Sequence, residues 1–426
     1  MVVLLSRFLS LLSRLVLRRY RPKIIGITGS VGKTSTKEVV ATVLAPHYRV
    51  RQSVKSYNNE IGLPLTILGA ESGGKSIVAW LGIILRTCRL LLWRDLAYPR
   101  VLILEMGADR PGDITYLTTV APCDIGVLTS VAPTHLELFK TIEAVAKEKR
   151  IVISHLRPGG TAILNHDDQR VATVRSPEGV HRLTYGLGEG AEVRGSEVAV
   201  YGTWPNCGMT FKVTYQGSTV PVHLPGVVGE PAVYAALGAI AVGVTMGLNL
   251  VSLVEALQKY QAPPGRLSIL RGIHGTVIID DTYNASPKAA LAALDTFAAL
   301  PVAGPARRLV VLGDMLELGS YSDRAHEEVG EKVAATKMDA LITVGERARA
   351  IARTARQGGL AAEAIVNFAD ATEAARYLQS HIKSGDVVLV KGSQMMRMER
   401  IIETLMAEPE RASELLVRQE PRWKNR

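Results

Sequence analysis

"KIIGITGSVGKTSTKEVV", residues 23–40, decides how this chain is read. Ile24, Ile25 and Ile27 predict a strand, Gly29-Ser30-Val31-Gly32 a small-residue loop, and Lys33-Thr34-Ser35 the start of a helix. Glycines let backbone N–H groups turn onto a phosphate, and the helix that follows adds its positive N-terminal end. A Lys so placed reaches the β/γ-phosphates of a nucleotide, and a Thr hydroxyl ligates Mg²⁺. A strict phosphate-loop pattern would put glycine at position 27, which is Ile27; the glycines stand at Gly26, Gly29 and Gly32. A Gly-rich turn before an ordinary helix is the alternative. Strand, GKT and helix in succession favour nucleotide binding.

Composition sets the bounds. The chain has 426 residues, of which 47% are hydrophobic and 21% charged, enough for two or three globular domains. Cys88, Cys123 and Cys207 are scattered with no CxxC pair, which argues against zinc and against a disulfide framework and points to a reducing cytoplasm. Net charge is +10, but residues 1–23 hold six basic residues and no acid, leaving about +4 for the rest. The body is therefore not read as a nucleic-acid-binding surface.

Two apolar stretches carry arginines. In residues 1–22, Ser6, Arg7, Ser10, Ser13, Arg14 and Arg18 recur at helical steps as a polar face, with Leu5, Phe8, Leu9, Leu12, Leu15 and Val16 opposite. Residues 76–99 mix Trp80, Trp93 and long aliphatics with Arg86, Arg89 and Arg94. Both patterns suit helices lying in the interface of an anionic membrane. The arginines break any 20-residue spanning run of the usual length, about 20 residues. Packing on the protein's own core is the other reading.

Strand-like and helical runs alternate along the remainder. Strands are expected near 24–28, 101–104, 124–128 and 161–164, then short β-rich pieces at 181–225 and two helices over 229–259. "QAPPGR" at 261–266 breaks both element types. Beyond it, strands near 276–280, 308–312, 340–344 and 386–391 repeat the alternation as a Rossmann-like unit. The expected fold is α/β: a central parallel-sheet ATPase domain (23–264) with a small β-rich side sheet, a Rossmann-like C-terminal domain (265–408), and a loosely structured tail (409–426). At the ends of the early strands stand Glu105 and His135, with Lys147 and Lys149 on a following helix. Each alone reads as a surface carboxylate, a core histidine or a solvated charge; together on the loop side they read as a site.

These motifs resemble the Mur ligases, most closely the type that adds D-alanyl-D-alanine to a UDP-muramoyl peptide. The resemblance rests on TGSVGKTS (28–35), YNNEIGLPLTIL (57–68), LEMGADRPGDI (104–114) and THLELF (134–139). It continues through GR (265–266), DDTYNASP (280–287), LGDMLELG (312–319) and VKGS (390–393). It implies that Gly29, Ser30, Gly32, Lys33, Thr34 and Ser35 hold ATP, with Arg266 reaching it from the hinge and Asp281 and Asn284 facing the nucleotide. It further implies Mg²⁺ on Thr34, Glu105 and His135, and on Lys149 as a carbamate. Asn58 and Asn59 would face the nucleotide-sugar substrate, and Lys391 and Ser393 would lie near the incoming amino-substrate. Such a ligase moves the γ-phosphate of ATP to a carboxylate, and an amine then displaces the phosphate.

Departures from the family pattern accompany the resemblance. The family's N-terminal domain, which holds the uridine nucleotide, is expected to be absent. Pro231, Ala232 and Ala235 replace the usual His-Asn pair and later Asn before the central helix, and Arg150-Ile151 follow Lys149 in place of Gly-Glu. A folylpolyglutamate-type or other envelope amide ligase, or a non-catalytic nucleotide-binding partner of an envelope complex, are the competing readings.

Overall fold

The structure is a computed structural model describing residues 2–54, 57–203, 206–301, 306–420 and 423. Its first sheet contains β1 (Lys23–Thr28), β2 (Val50–Gln52), β3 (Val101–Glu105), β4 (Ile125–Leu128), β5 (Thr161–Asn165), β6 (His181–Gly186), β7 (Val193–Tyr201), β8 (Gly208–Tyr215) and β9 (Ser218–Pro225). The spatial order is β2-β3-β1-β4-β5-β6-β7-β8-β9. Strands β1 to β6 pair in parallel, and β7 to β9 form antiparallel hairpins. Unbroken apolar runs such as VLILE in β3, buried at every position, are what a parallel sheet covered on both faces requires. The β-rich pieces at 181–225 are continuous with this sheet, since β6 and β7 pair in parallel at Tyr185–Val193.

The accompanying helices are α1 (Val2–Tyr20), α2 (Lys33–Leu44), α3 (Gly62–Leu68), α4 (Ile77–Leu92), α5 (Asp113–Val120), α6 (Leu136–Phe139), α7 (Ile142–Ser154), α8 (Gln169–Ala172), α9 (Glu230–Thr245) and α10 (Leu250–Leu257). Side-chain caps set several starts: Ser76 Oγ accepts from Ala79 N–H at 3.2 Å, and Thr141 Oγ1 from Ala144 N–H at 3.2 Å. Helix α9 is apolar all round and lies buried against α2, joining the β7–β9 edge to the phosphate-loop helix.

Helix α1 corrects the sequence reading. Ser6, Ser10 and Ser13 are buried together with Leu9, Leu12, Val16 and Leu17, while Phe8 and Leu15 share the exposed side with Leu4, Leu11 and the arginines. Small serines allow close approach to α3, where Ser13 Oγ donates to Pro64 O at 3.4 Å. The expected polar face is therefore split, and the helix packs on the protein with an apolar strip left outward. No helix among the described residues is long and apolar enough to cross a membrane.

The second sheet contains β10 (Ser268–Arg271), β11 (Val277–Asp281), β12 (Arg308–Gly313), β13 (Ala340–Val344), β14 (Ile365–Phe368) and β15 (Val387–Lys391), ordered β10-β11-β15-β12-β13-β14. All pairs are parallel except β10–β11. Helices α11 (Pro287–Ala299), α12 (Ser322–Ala335), α13 (Arg349–Gln357), α14 (Ala371–His381), α15 (Glu399–Leu405) and α16 (Ala412–Leu415) cover it. The segment past 408, expected to be loose, is docked through its described part: Ala412, Leu416 and Arg418 are buried. Arg418 pairs with buried Glu399 at 3.0 Å and donates to the Tyr283 carbonyl at 2.9 Å and to that of Thr282. Residues 421, 422 and 424–426 of that tail lie outside the described residues.

Candidate active site

The loop after β1 is held open by backbone conformations that favour glycine. Gly32 caps α2 at φ 88°, and a Cβ at Gly29 (φ 153°) would collide with Thr129 Oγ1. Ser30 buttresses the loop from below, donating to Ala132 O and accepting from Ala132 N–H, both at 3.0 Å. The Lys33 ammonium lies over the loop, donating to Gly29 O at 2.7 Å. Burial lowers its pKa, with nearby Arg266 adding to the effect. Ser35, two residues on, bonds Tyr260 on the flank of α2.

At the end of β3 the Glu105 carboxylate gathers the loop's neighbours. Thr34 Oγ1 donates to its Oε2 at 3.0 Å, and Asn58 Nδ2 to its Oε1 at 3.2 Å. Lys37, fully buried, stands 3.8 Å from the same carboxylate and donates to Ser53 O at 2.8 Å. Sequence reasoning missed Lys37; its place four residues after Lys33, on the inner face of α2, was the available signal. Asn59 points elsewhere, accepting from Gly62 N–H at 2.8 Å to fix the start of α3.

Arg266 arrives from the other sheet unit. Its guanidinium lies 4.0 Å from the Tyr283 ring centroid and its Nη2 is 3.4 Å from Thr34 Oγ1, while its buried Nε has no hydrogen-bond partner among the described residues. Gly265 is pinned by the buried Asp280, which accepts its N–H at 3.1 Å. Next to it, Asp281 pairs with Lys391 at 2.6 Å, and Lys391 also donates to Asn284 O at 3.0 Å. Ser393 Oγ accepts from Leu316 N–H at 2.9 Å. Lys391 and Ser393 are thus buried and engaged in shaping the C-terminal loops.

His135 closes the third side. It sits at φ 53°, and its Nδ1 donates to Glu317 at 2.7 Å, with Nε2 3.8 Å from Asp109. Glu317 also has left-handed backbone, φ 65°, and the His135 bond pulls its carboxyl below the usual range. Two strained non-glycine residues meeting across the units mark a built contact. Glu317 was not singled out from sequence, although the LGDMLELG stretch that carries it was.

On α7, Lys149 is buried and Lys147 exposed, one facing the site and the other solvent. Burial, with the Lys33 charge behind it, brings the Lys149 pKa down to about 7, so a large share of its amine is neutral near that pH. Between them, Glu148 accepts from Gly112 N–H at 2.9 Å and Ile114 N–H at 2.7 Å, capping α5.

Beside Gly32 opens a cavity of about 750 Å³ between the two units, lined by Asn165, Asp167, Pro231, Tyr234, Ala235 and Lys288. Lys288 bridges the units to Asp168 at 3.3 Å. Among the described residues no cluster of three His, Cys, Asp or Glu side chains could hold a metal alone. Thr34 and Glu105 supply the one or two oxygens that suffice for a Mg²⁺ carried on phosphates.

The arrangement has known counterparts. The Mur ligase middle domain matches residues 27–80 and 90–243, and the Mur ligase, glutamate ligase domain matches 265–394. The chain belongs to the Mur ligase family. This Mur ligase is 28% identical over 398 residues to the UDP-N-acetylmuramoyl-tripeptide--D-alanyl-D-alanine ligase of Bacillus subtilis, covering 93% of this chain and 79% of that one. It is 33% identical to the enzyme of that name from Mycobacterium leprae, covering 90% and 74%. The structure of MurF ligase from Thermotoga maritima in complex with ADP superposes with a TM-score of 0.78 at 28% identity, over 95% of this chain and 84% of that one.

Proposed function

We propose that this Mur ligase uses ATP and Mg²⁺ to join D-Ala-D-Ala to the free carboxylate of a muramoyl tripeptide in peptidoglycan precursor synthesis. The observation that carries the reading is the Thr34–Glu105 pair at 3.0 Å, beneath the phosphate loop, with Arg266 reaching it from the opposite unit. The names of the relatives supply the substrates.

The chain's own groups suit acyl-phosphate chemistry. Phosphoryl transfer to a carboxylate brings two anions together, and Lys33 and Arg266 place fixed positive charge where they meet. Mg²⁺, when bound, neutralises phosphate oxygens; Thr34 and Glu105 would hold one ion, and His135 and Lys149 would serve a second. The Glu317 bond fixes His135 with Nδ1 as donor and leaves Nε2 for the site. Lys149, in its neutral form, adds CO₂ to become a carbamate and releases a proton, converting a cation into a carboxylate-like ligand. Asn58 orients Glu105 and would also meet the acceptor, Asp281 and Asn284 would face the nucleotide, and Lys391 and Ser393 would face the amine substrate. The cavity beside Gly32 suits a purine, with Pro231 and Ala235 offering apolar faces. The work is cytoplasmic, at the inner face of the membrane, a placement that the outward strip of α1 and the exposed Ile77, Leu81, Leu85 and Leu92 of α4 support.

The test incubates purified protein with ATP, Mg²⁺, UDP-muramoyl-tripeptide and D-Ala-D-Ala, following phosphate release and product mass together. Lys33→Ala is expected to lower ligation on the order of a thousandfold. Near-normal turnover in that variant would overturn the assignment of the loop as catalytic.

A further inference from the structure

Two helices of this molecule fall partly or wholly outside the family pattern. The middle-domain match starts at residue 27, beyond α1, and omits 81–89, the centre of α4. The two are joined to each other: Tyr20 Oη, at the end of α1, donates to Leu90 O at 2.9 Å and accepts from Asp95 N–H at 2.9 Å.

Each helix turns an apolar strip outward. On α1 it is Leu4, Phe8, Leu11 and Leu15, at steps of four, three and four residues. On α4, Ile77, Leu81, Leu85, Cys88 and Leu92 recur at steps of four, four, three and four residues, with Trp93 and Leu96 just beyond. Leu81, Leu85 and Leu92 are 53%, 69% and 68% exposed. Strips this apolar on a water-facing surface mark an interaction site. Their charge selects the partner. The first acid in the chain is Glu38, and none occurs between Glu71 and Asp95. Arg7, Arg14, Arg18, Arg86, Arg89 and Arg94 are all exposed along these helices. Apolar strips edged by arginines and one outward tryptophan match a bilayer interface with anionic headgroups.

We infer that the outward strips of α1 and α4 form a monotopic docking face that inserts into one leaflet of an anionic phospholipid membrane. This deepens the membrane placement proposed above and is independent of the ligase chemistry. The buried serine face of α1 holds the helix on the protein, so docking requires no refolding of it.

Cys88 offers a direct readout, being the exposed cysteine of the three and lying on the α4 strip. The full-length protein, labelled there with an environment-sensitive fluorophore, is mixed with vesicles of phosphatidylglycerol and phosphatidylcholine or of phosphatidylcholine alone. Expected are a blue shift and co-sedimentation with the anionic vesicles, both weakened by salt. Arg86→Glu with Arg89→Glu is expected to weaken binding on the order of tenfold or more, and Leu81→Asp with Leu85→Asp to abolish the shift. These residues are exposed, and unchanged ATP turnover in both variants shows that the fold and the ligase site are intact. Absence of a shift, or equal binding to neutral vesicles, overturns the inference. So does a light-scattering mass of two chains that reverts to one in the Leu81→Asp, Leu85→Asp protein, which would make the face a contact between copies.

Discussion

Lys149 and Lys147 lie two positions apart on α7 and differ in everything that matters chemically. Lys149 is buried with its pKa lowered from 10.5 to about 7, whereas Lys147 is in solvent. A group with a depressed ammonium pKa is protonated below that value and becomes a neutral amine as pH rises through it. Reaction with CO₂ is therefore expected to develop as pH is raised through about 7, not near 10.5, and a ¹³C-carbamate resonance after addition of labelled bicarbonate measures it. Lys149→Ala is expected to lose that resonance and on the order of 100-fold in turnover, with partial return on adding acetate or formate. Lys147→Ala is expected to behave almost as the unaltered protein; equal losses at both positions would mean the ligand is misassigned. Sequence alone distinguished these two lysines only through the family resemblance, because exposure depends on which face α7 turns to the sheet.

At the level of elements, the long apolar runs were legible. β1, β3, β4, β5, β11, β12, β13 and β15 all lie where continuous hydrophobicity placed them, since parallel strands buried on both faces leave no alternation to misread. The three-residue β2 and the half-exposed β14 escaped, being too short or too polar to register. The orientation of α1 was misread because serine serves two purposes: it is polar in a tally and small in a packed interface. The docked tail was also hidden, since its anchor is a buried ion pair that no local pattern announces. Arg418 ties the tail to Glu399 and to the carbonyls of Thr282 and Tyr283, whose ring supports Arg266. Arg418→Met leaves Glu399 paired with Arg397, at 2.6 Å. Through the lost charge-assisted hydrogen bonds the variant is expected to lose about 2 kcal/mol in denaturant unfolding of the C-terminal unit and to bind ATP more weakly. Unchanged stability would show that the tail is not an integral part of that unit.

For the whole molecule, the site exists only where the two sheet units meet. Arg266–Thr34, His135–Glu317 and Lys288–Asp168 all cross that boundary, and none was visible as a pair in the sequence because the partners are far apart along the chain. Glu317→Ala removes the partner that orients His135 while leaving the phosphate loop untouched. Turnover is expected to fall about 10- to 100-fold with nucleotide affinity nearly unchanged, as measured by calorimetry alongside the ligation assay. Full turnover in this variant would sink the view that this contact assembles the site.

The join between α1 and β1 has a consequence at this same scale. Only Arg21, in left-handed backbone, and buried Pro22 separate the helix from the strand that feeds the phosphate loop. There is no slack in such a connection. A surface that captures α1 does not hold the ligase on a leash; it sets the catalytic loop at one height and one tilt, as a gauge block sets a cutting edge. Acceptors are then sorted by reach as well as by chemistry, and lengthening the join by a few glycines would change which ones arrive without altering a single group that reacts.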